Sequence, residues 1–270
     1  MMLDHEALRT ADPSDIRTAI RNGSYSGHTA GLAPDRLQVN LAIMAEEFAL
    51  DFARFCQRNP KPCPLVGVSD TGERVLHTLG HDLRVDTDAP GYCVYHNGVL
   101  QQQPTDISDI WQDDFVTFAL GCSFTFEHAL AKAGIAMRHI DQNRTVPMYR
   151  TSLDLVPAGP FGGGMVVSMR PLLPQDIERV RSICAEFPLA HGAPVHVGDP
   201  SEIGITDINA PEWGDAVDIR DGEVCVFWAC GVTPQNAAIR AQLPVFLSHR
   251  PGAMLITDVD ERANPPVLQD

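Results

Sequence analysis

The chain has little that would suit it to a nucleic acid or a membrane. Lys and Arg number 20 against 35 Asp and Glu, for a formal net charge of −15, and no run of basic residues builds a stripe. A polyanion is therefore a poor partner. No apolar stretch approaches the roughly 20 residues that span a bilayer. The first residues, MMLDHEALRT, hold acids and no apolar core, so no secretory signal is expected there and cytoplasm is the expected location. Seven cysteines, an odd number without paired spacing, argue against a disulfide framework and for reduced thiols. A P-loop is missing too: Gly162-Gly163-Gly164 has neither the Lys-Ser/Thr ending nor a helix after it. With 44% apolar and 20% charged residues, the 270-residue chain reads as an ordinary folded protein, large enough for one full core or two modest ones.

What the chain does have is a repeated template. Val116-Thr-Phe-Ala-Leu-Gly-Cys122-Ser-Phe-Thr125-Phe-Glu127-His-Ala and Val224-Cys-Val-Phe-Trp-Ala-Cys230-Gly-Val-Thr233-Pro-Gln235-Asn-Ala share an apolar run, a cysteine, a threonine three places on, then Glu or Gln and Ala in register. An apolar run ending in Cys before a helix-type sequence puts the thiol between a strand's C-terminal end and a helix's N-terminus. Open α/β sheets collect ligands there, and the helix dipole favours anions and lowers a thiol pKa. The expected fold class is α/β, with a pseudo-duplicated strand-Cys-helix core and an inserted smaller β-β-α subdomain.

Local signals fill in the rest. Asp12-Pro13 predicts a short helix to about Arg21. Leu37, Leu41, Met44, Phe48, Phe52 and Phe55 fall at helical spacing, predicting one long helix from about Pro34 until Asn59-Pro-Lys-Pro-Cys-Pro64 ends it. Strands are expected at 65–68, 92–95 with a turn at Asn97-Gly98, 115–121, 148–155, 165–169, 194–197 and 224–229, and near 246 and 254. Helices should follow the two template strands, and another should span about 174–187. The core domain is placed at 1–136 and 188–270, the insert at 137–187, and 263–270 as a loose tail.

The candidate site residues each have a plainer alternative. Cys122 and Cys230 are candidate reactive thiols, yet free Cys usually packs as a small hydrophobe. Glu127 can titrate where its counterpart Gln235 cannot, which fits a base and a binder, or two solvated helix faces. His191 and His196, with Asp199, can supply an acid/base pair or loose metal ligands. Gly163, in the glycine run, could offer backbone N–H groups to a carboxylate, or simply turn. Ser123, Thr125, Gly231, Thr233 and Gln235 line the corners as candidate substrate binders, and Arg150 or Arg170 could supply counter-charge.

His28-Thr-Ala-Gly-Leu-Ala-Pro34, Gln57-Arg-Asn-Pro-Lys-Pro-Cys-Pro64, Gly121-Cys-Ser-Phe-Thr-Phe-Glu127, Pro147-Met-Tyr-Arg-Thr151, Gly159-Pro-Phe-Gly-Gly-Gly164, His191-Gly-Ala-Pro-Val-His-Val-Gly-Asp-Pro200 and Trp228-Ala-Cys-Gly-Val-Thr-Pro-Gln-Asn-Ala237 together resemble a bacterial hydro-lyase family. That family is related to the D-glutamate cyclase domain of mitochondria. The resemblance spans about residues 18–260 and implies a two-part α/β fold, lyase chemistry and, through the cyclase, loss of water from D-glutamate to give 5-oxo-D-proline. It carries over no catalytic residue.

Three readings follow. The first is a cofactor-independent hydro-lyase on a small amino-acid-like carboxylate, with Glu127 or His191 as base, His196 as acid and Arg150 as counter-charge, in a chain compatible with a homo-oligomer. The second is a two-thiol amino-acid racemase or epimerase using Cys122 and Cys230, by fold-level analogy with the Asp/Glu racemases. The third is a non-catalytic carboxylate-binding protein.

Overall fold

The computed structural model describes residues 2–142, 144–263 and 266–268. Its centre is β1 (Arg36–Ala45), buried from Leu37 to Met44. Here the expected long helix is corrected, because residues 36–45 are strand and only α3 (Glu46–Arg58) is helical. The physical reason is period two. Leu37, Val39, Leu41 and Ile43 enter one core with Leu79, Val85 and Phe115, while Ala42 and Met44 enter another with Phe52, Phe55 and Phe118. A strand buried on both faces is apolar almost throughout, so it also satisfies a helical count. At Ala45 the backbone is still extended, and Glu46 and Glu47 then favour the helix start.

Strands numbered along the chain complete a seven-stranded antiparallel sheet. β2 (Leu65–Val68), β3 (Tyr92–His96), β4 (Val99–Gln102), β5 (Phe115–Gly121) and β10 (Phe246–His249) join β1 in the order β2-β5-β1-β10-β3-β4. β11 (Leu255–Asp260) pairs with the other end of β1. Asn97 and Gly98 both take positive φ between β3 and β4, forming the tight hairpin expected of Asn-Gly. On one face Phe52 meets Phe118 and Phe161 edge-on at 4.9 and 5.0 Å between ring centroids. Each such ring contributes roughly 1.5–3 kcal/mol by burial, and together they clamp α3 to the sheet.

A second antiparallel sheet runs β6-β7-β9-β8, from β6 (Met148–Asp154), β7 (Gly164–Leu172), β8 (His196–Val197) and β9 (Val224–Ala229). Its hydrogen bonding continues across residue 188, since β7 pairs with β9 over six residues.

The helices that follow the template strands cross between the sheets. α4 (Phe124–Lys132) leaves the large sheet, but Phe126 and Leu130 pack against Leu172, Val226 and Trp228 of the small one, beside Val180 and Cys184 of α6 (Ile177–Ala185). α7 (Val232–Arg240) leaves the small sheet, but Ala237 and Ala238 pack against Ala42, Met44 and Phe246 of the large one. The two corners therefore meet where the sheets abut. At the chain's start, α1 (His5–Leu8) precedes α2 (Pro13–Arg21), whose buried Arg17 donates to Asp258 at 2.7 Å. The short α5 (Arg138–Asp141) follows α4. Among the described residues no helix is long and apolar enough to cross a membrane. Of the tail expected to be loose, residues 264, 265, 269 and 270 lie outside the described residues.

Candidate active site

Both corners are built alike. After β5 come Cys122 and Ser123, then α4; after β9 come Cys230 and Gly231, then α7. Ser123 and Gly231 already have helical φ and ψ. The N–H two residues past each cysteine, on Phe124 or Val232, donates to the thiol. Thr125 N donates to the Cys122 carbonyl at 3.2 Å, and Thr233 N to the Cys230 carbonyl at 2.9 Å. Asn40 of β1 ties the corners together. Its Nδ2 donates to the Gly121 carbonyl at 2.9 Å, and its amide occupies the space where a Cβ on residue 231 would stand. Glycine is required at 231 for that close approach. It is required at 121 because a Cβ would overlap the Leu189 carbonyl.

The thiols are not activated. Burial pushes Cys122 up to about 12 and Cys230 up to about 11, outweighing the N–H donors at the helix starts. The expected lowering of thiol pKa is thus corrected, since the dipole acts here in a site almost without water.

The corner at Cys122 is ionic. Glu127, 3% exposed, accepts from the Arg170 guanidinium through both Nε, at 3.1 Å, and Nη2, and lies 3.3 Å from His139 Nε2. Arg170, 1% exposed, also donates to Ser168 Oγ at 3.0 Å and Ser123 Oγ at 3.3 Å. It lies over the rings of Phe126 and Trp228, 5.4 and 5.1 Å from their centroids. Burial alone would raise the Glu127 carboxyl, but Arg170 and His139 override it and hold it at about 2. It is an anion at neutral pH and a poor base.

The corner at Cys230 is neutral. Thr233 Oγ1 accepts from Val166 N at 3.0 Å and donates to Val166 O at 3.1 Å, pinning α7 to β7. Gln235 lies 3.0 Å from His249 Nδ1. By contrast, Thr125 Oγ1 is buried without a partner.

His191 is the third element. It is 1% exposed, with Nδ1 2.9 Å from the Lys61 carbonyl, and its Nε2 has no hydrogen-bond partner. A carbonyl accepts only, so Nδ1 carries the proton and Nε2 holds an open lone pair. Burial, with a contribution from nearby Arg170, lowers His191 to about 4 and keeps it neutral. Leu189, two residues earlier, leans on Gly121 beside the first corner.

Four expected site residues do not join this group. His196 pairs with Phe227 and stacks on its ring at 5.7 Å, with Nε2 held by the Asp199 carbonyl at 2.9 Å. Phe227 belongs to the core on the face of the small sheet opposite Trp228, so alternation along β9 turns His196 away from Arg170. Asp199 is exposed and caps Ser201 N at 2.8 Å. Arg150 is exposed and lies over Trp213. Gly163 adjoins Arg240, in the last turn of α7 and remote from its Cys230 end. Among the described residues no group of three or more His, Cys, Asp or Glu side chains is arranged to hold a metal ion. Two open grooves, of about 480 and 280 Å³, contain no corner residue.

The D-glutamate cyclase family profile matches residues 116–258. A protein of Dinoroseobacter shibae is 56% identical over 98% of this chain and 88% of its own length, and one of Ruegeria pomeroyi 54% identical over 100% and 98%; both are named "Putative hydro-lyase". The chain belongs to the D-glutamate cyclase family. A solved nitrogen repressor-like protein of Methanococcus jannaschii aligns with 92% of this chain and 97% of its own at 8% identity and a TM-score of 0.39, too low to bear on the fold. The D-glutamate cyclase match runs from β5 into β11, so it takes in both corners, Arg170 and His191 but not Asn40.

His139, Asn40 and His249 escaped the reading of the sequence, and Arg170 entered it only as a spare counter-charge. The available signal was polarity inside apolar strands. Ser168 and Arg170 alternate within 165–172, and Asn40 interrupts a run from 37 to 45. Buried polar groups need partners, so such interruptions mark where two parts of the chain meet.

Proposed function

We propose that the protein is a hydro-lyase acting on a small amino-acid-like carboxylate where the two corners meet, with cyclisation of D-glutamate to 5-oxo-D-proline as its reaction. The observation that carries this reading is the junction at Asn40. It sets two helix starts side by side, next to a pinned guanidinium at Arg170 and an open lone pair at His191 Nε2. Family membership supports the reaction class.

In the proposed cycle, His191 Nε2 takes a proton from the substrate ammonium, and the freed amine attacks the γ-carboxyl carbon. The developing oxyanion is stabilised by Arg170 and the hydroxyls of Ser123 and Thr125. Protonated His191 gives its proton to the departing oxygen, the ring nitrogen then passes its surplus proton to the same oxygen through the freed His191 Nε2, and the oxygen leaves as water while the carbon–nitrogen bond of the lactam remains. Glu127 serves by holding Arg170 in place, so the counter-charge passes from Arg150 to Arg170 and the base from Glu127 to His191. The same reading treats the corners as a duplicated strand-Cys-helix unit in a core of 1–136 and 188–270, with 137–187 as the inserted part. Purified protein incubated with D-glutamate should release 5-oxo-D-proline, followed by chiral chromatography; absence of turnover at high enzyme concentration sinks the cyclase reaction.

The matched thiols favour one rival, a two-thiol racemase. It requires solvent deuterium at the substrate α-carbon and loss of activity in both Cys122→Ser and Cys230→Ser.

A further inference from the structure

Gln235 and His249 form a pair that the proposed cycle leaves unused. On one edge β1 is paired with β10 over Ala42–Met44 and with β11 over Arg36–Val39, so Asn40 and Leu41 fall between the two neighbours. The buried His249 ring fills that gap, and Leu41 N donates to its Nδ1 at 3.0 Å. Nδ1 therefore holds a lone pair and Nε2 the proton. The Gln235 amide nitrogen faces His249 Nδ1 at 3.0 Å, an acceptor it shares with Leu41 N–H, and lies 3.5 Å from both the His249 carbonyl and the protonated Nε2. Acceptors select the NH₂ end of an amide, which turns Oε1 away from the histidine. Gln235 Oε1 has no hydrogen-bond partner among the described residues, yet it is absent from the fully enclosed polar atoms that lack one. The 5% exposure that Gln235 keeps therefore includes this oxygen. Residual exposure of 5–8% also marks Cys122, Phe124, Cys230 and Val232 around the corners.

We propose that Gln235 Oε1 receives the ammonium group of an amino-acid ligand, and that His249 is the positioning residue that locks the amide in that orientation. The proposal rests on the reading of the corners as a carboxylate pocket and adds a specificity to it. A neutral amide suits the task. Its oxygen attracts –NH₃⁺, whereas a carboxylate at 235 would also repel the ligand's own carboxylates. The equivalent acid at the other corner, Glu127, is already committed to Arg170.

Calorimetric binding of D-glutamate and of glutarate, the same diacid without the amine, tests this. The wild-type protein should prefer D-glutamate by about tenfold or more, the usual effect of one hydrogen bond to a charged group. Gln235→Leu and His249→Phe should bring the ratio near one with glutarate affinity unchanged. His249→Asn, which can still accept from Leu41 N, should restore part of the preference. A Gln235→Leu protein that keeps the wild-type ratio overturns the assignment alone, as does a wild-type protein that binds both diacids equally. Binding of neither by the wild-type protein overturns the carboxylate reading and the assignment with it. Nitrogen-15 spectra of the wild-type protein provide a check independent of variant folding: His249 should show the Nε2–H tautomer, and the Nδ1–H tautomer overturns the lock.

Discussion

The two corners share a backbone and differ in charge. At Cys122 the helix carries Glu127, which is buried and held by Arg170 and His139; at Cys230 the same position is Gln235, set against neutral His249. One corner therefore holds charges that cannot be separated without cost, and the other presents polarity without net charge. On the proposed reading, a pocket made from both would offer a cation and a neutral acceptor, as a ligand with both carboxylate and ammonium groups requires. Local backbone geometry is alike at the two corners, and electrostatics differentiates them.

The contrast is broken most sharply by removing the cation. Arg170→Met should leave Glu127 charged and buried with only His139 beside it, at a cost of about 3–5 kcal/mol and roughly 10 °C of melting temperature. Gln235→Leu should cost about 1–2 kcal/mol. Equal losses in chemical denaturation would erase the distinction between an ionic and a neutral corner.

Acid should act through the histidines first. His191 and His249 sit at about 4 in the fold against an ordinary 6.5, so the unfolded chain binds more protons than the fold between those values. Stability should fall as pH drops from 6.5 to 4, by up to about 3 kcal/mol per histidine, and His249→Gln should flatten the curve by one such step. Glu127 works lower. Held at about 2 against an ordinary 4.5, it contributes stability that is complete above 4.5 and lost as pH falls through about 2.

The two close approaches should differ in a smaller way. Gly121→Ala meets the Leu189 backbone, which cannot yield cheaply, whereas Gly231→Ala meets the Asn40 side chain. Melting should show a loss of about 2–3 kcal/mol for the first and nearer 1 for the second. Smallest of all should be the thiols. Cys122→Ser and Cys230→Ser should retain turnover within about tenfold, because thiols at about 12 and 11 are protonated at neutral pH. Loss of all activity in both would favour the racemase.

Much of this organisation can be read directly in the residues. The β5-Cys122-α4 and β9-Cys230-α7 segments, the Asn97-Gly98 hairpin and the end of α3 at Asn59 are local matters, set by apolar runs, turn residues and prolines. The strand at 36–45 was illegible because burial on both faces removes the alternation that distinguishes strand from helix. His191 could be singled out as a candidate, but not its open Nε2, which depends on a carbonyl 130 residues away in sequence. Arg150 and Arg170 are equivalent on paper, both arginines in strands; pairing register sends one to solvent and the other beneath α4.

Local sequence specifies two strand-Cys-helix corners, one with a titratable acid and one with an amide. Tertiary structure alone decided that they meet, that the acid is taken up by Arg170, and that the thiols are neutral. The reason is that secondary structure follows from neighbours along the chain, whereas partners, exposure and protonation follow from what the crossing of α4 and α7 between the two sheets brings within a few ångströms.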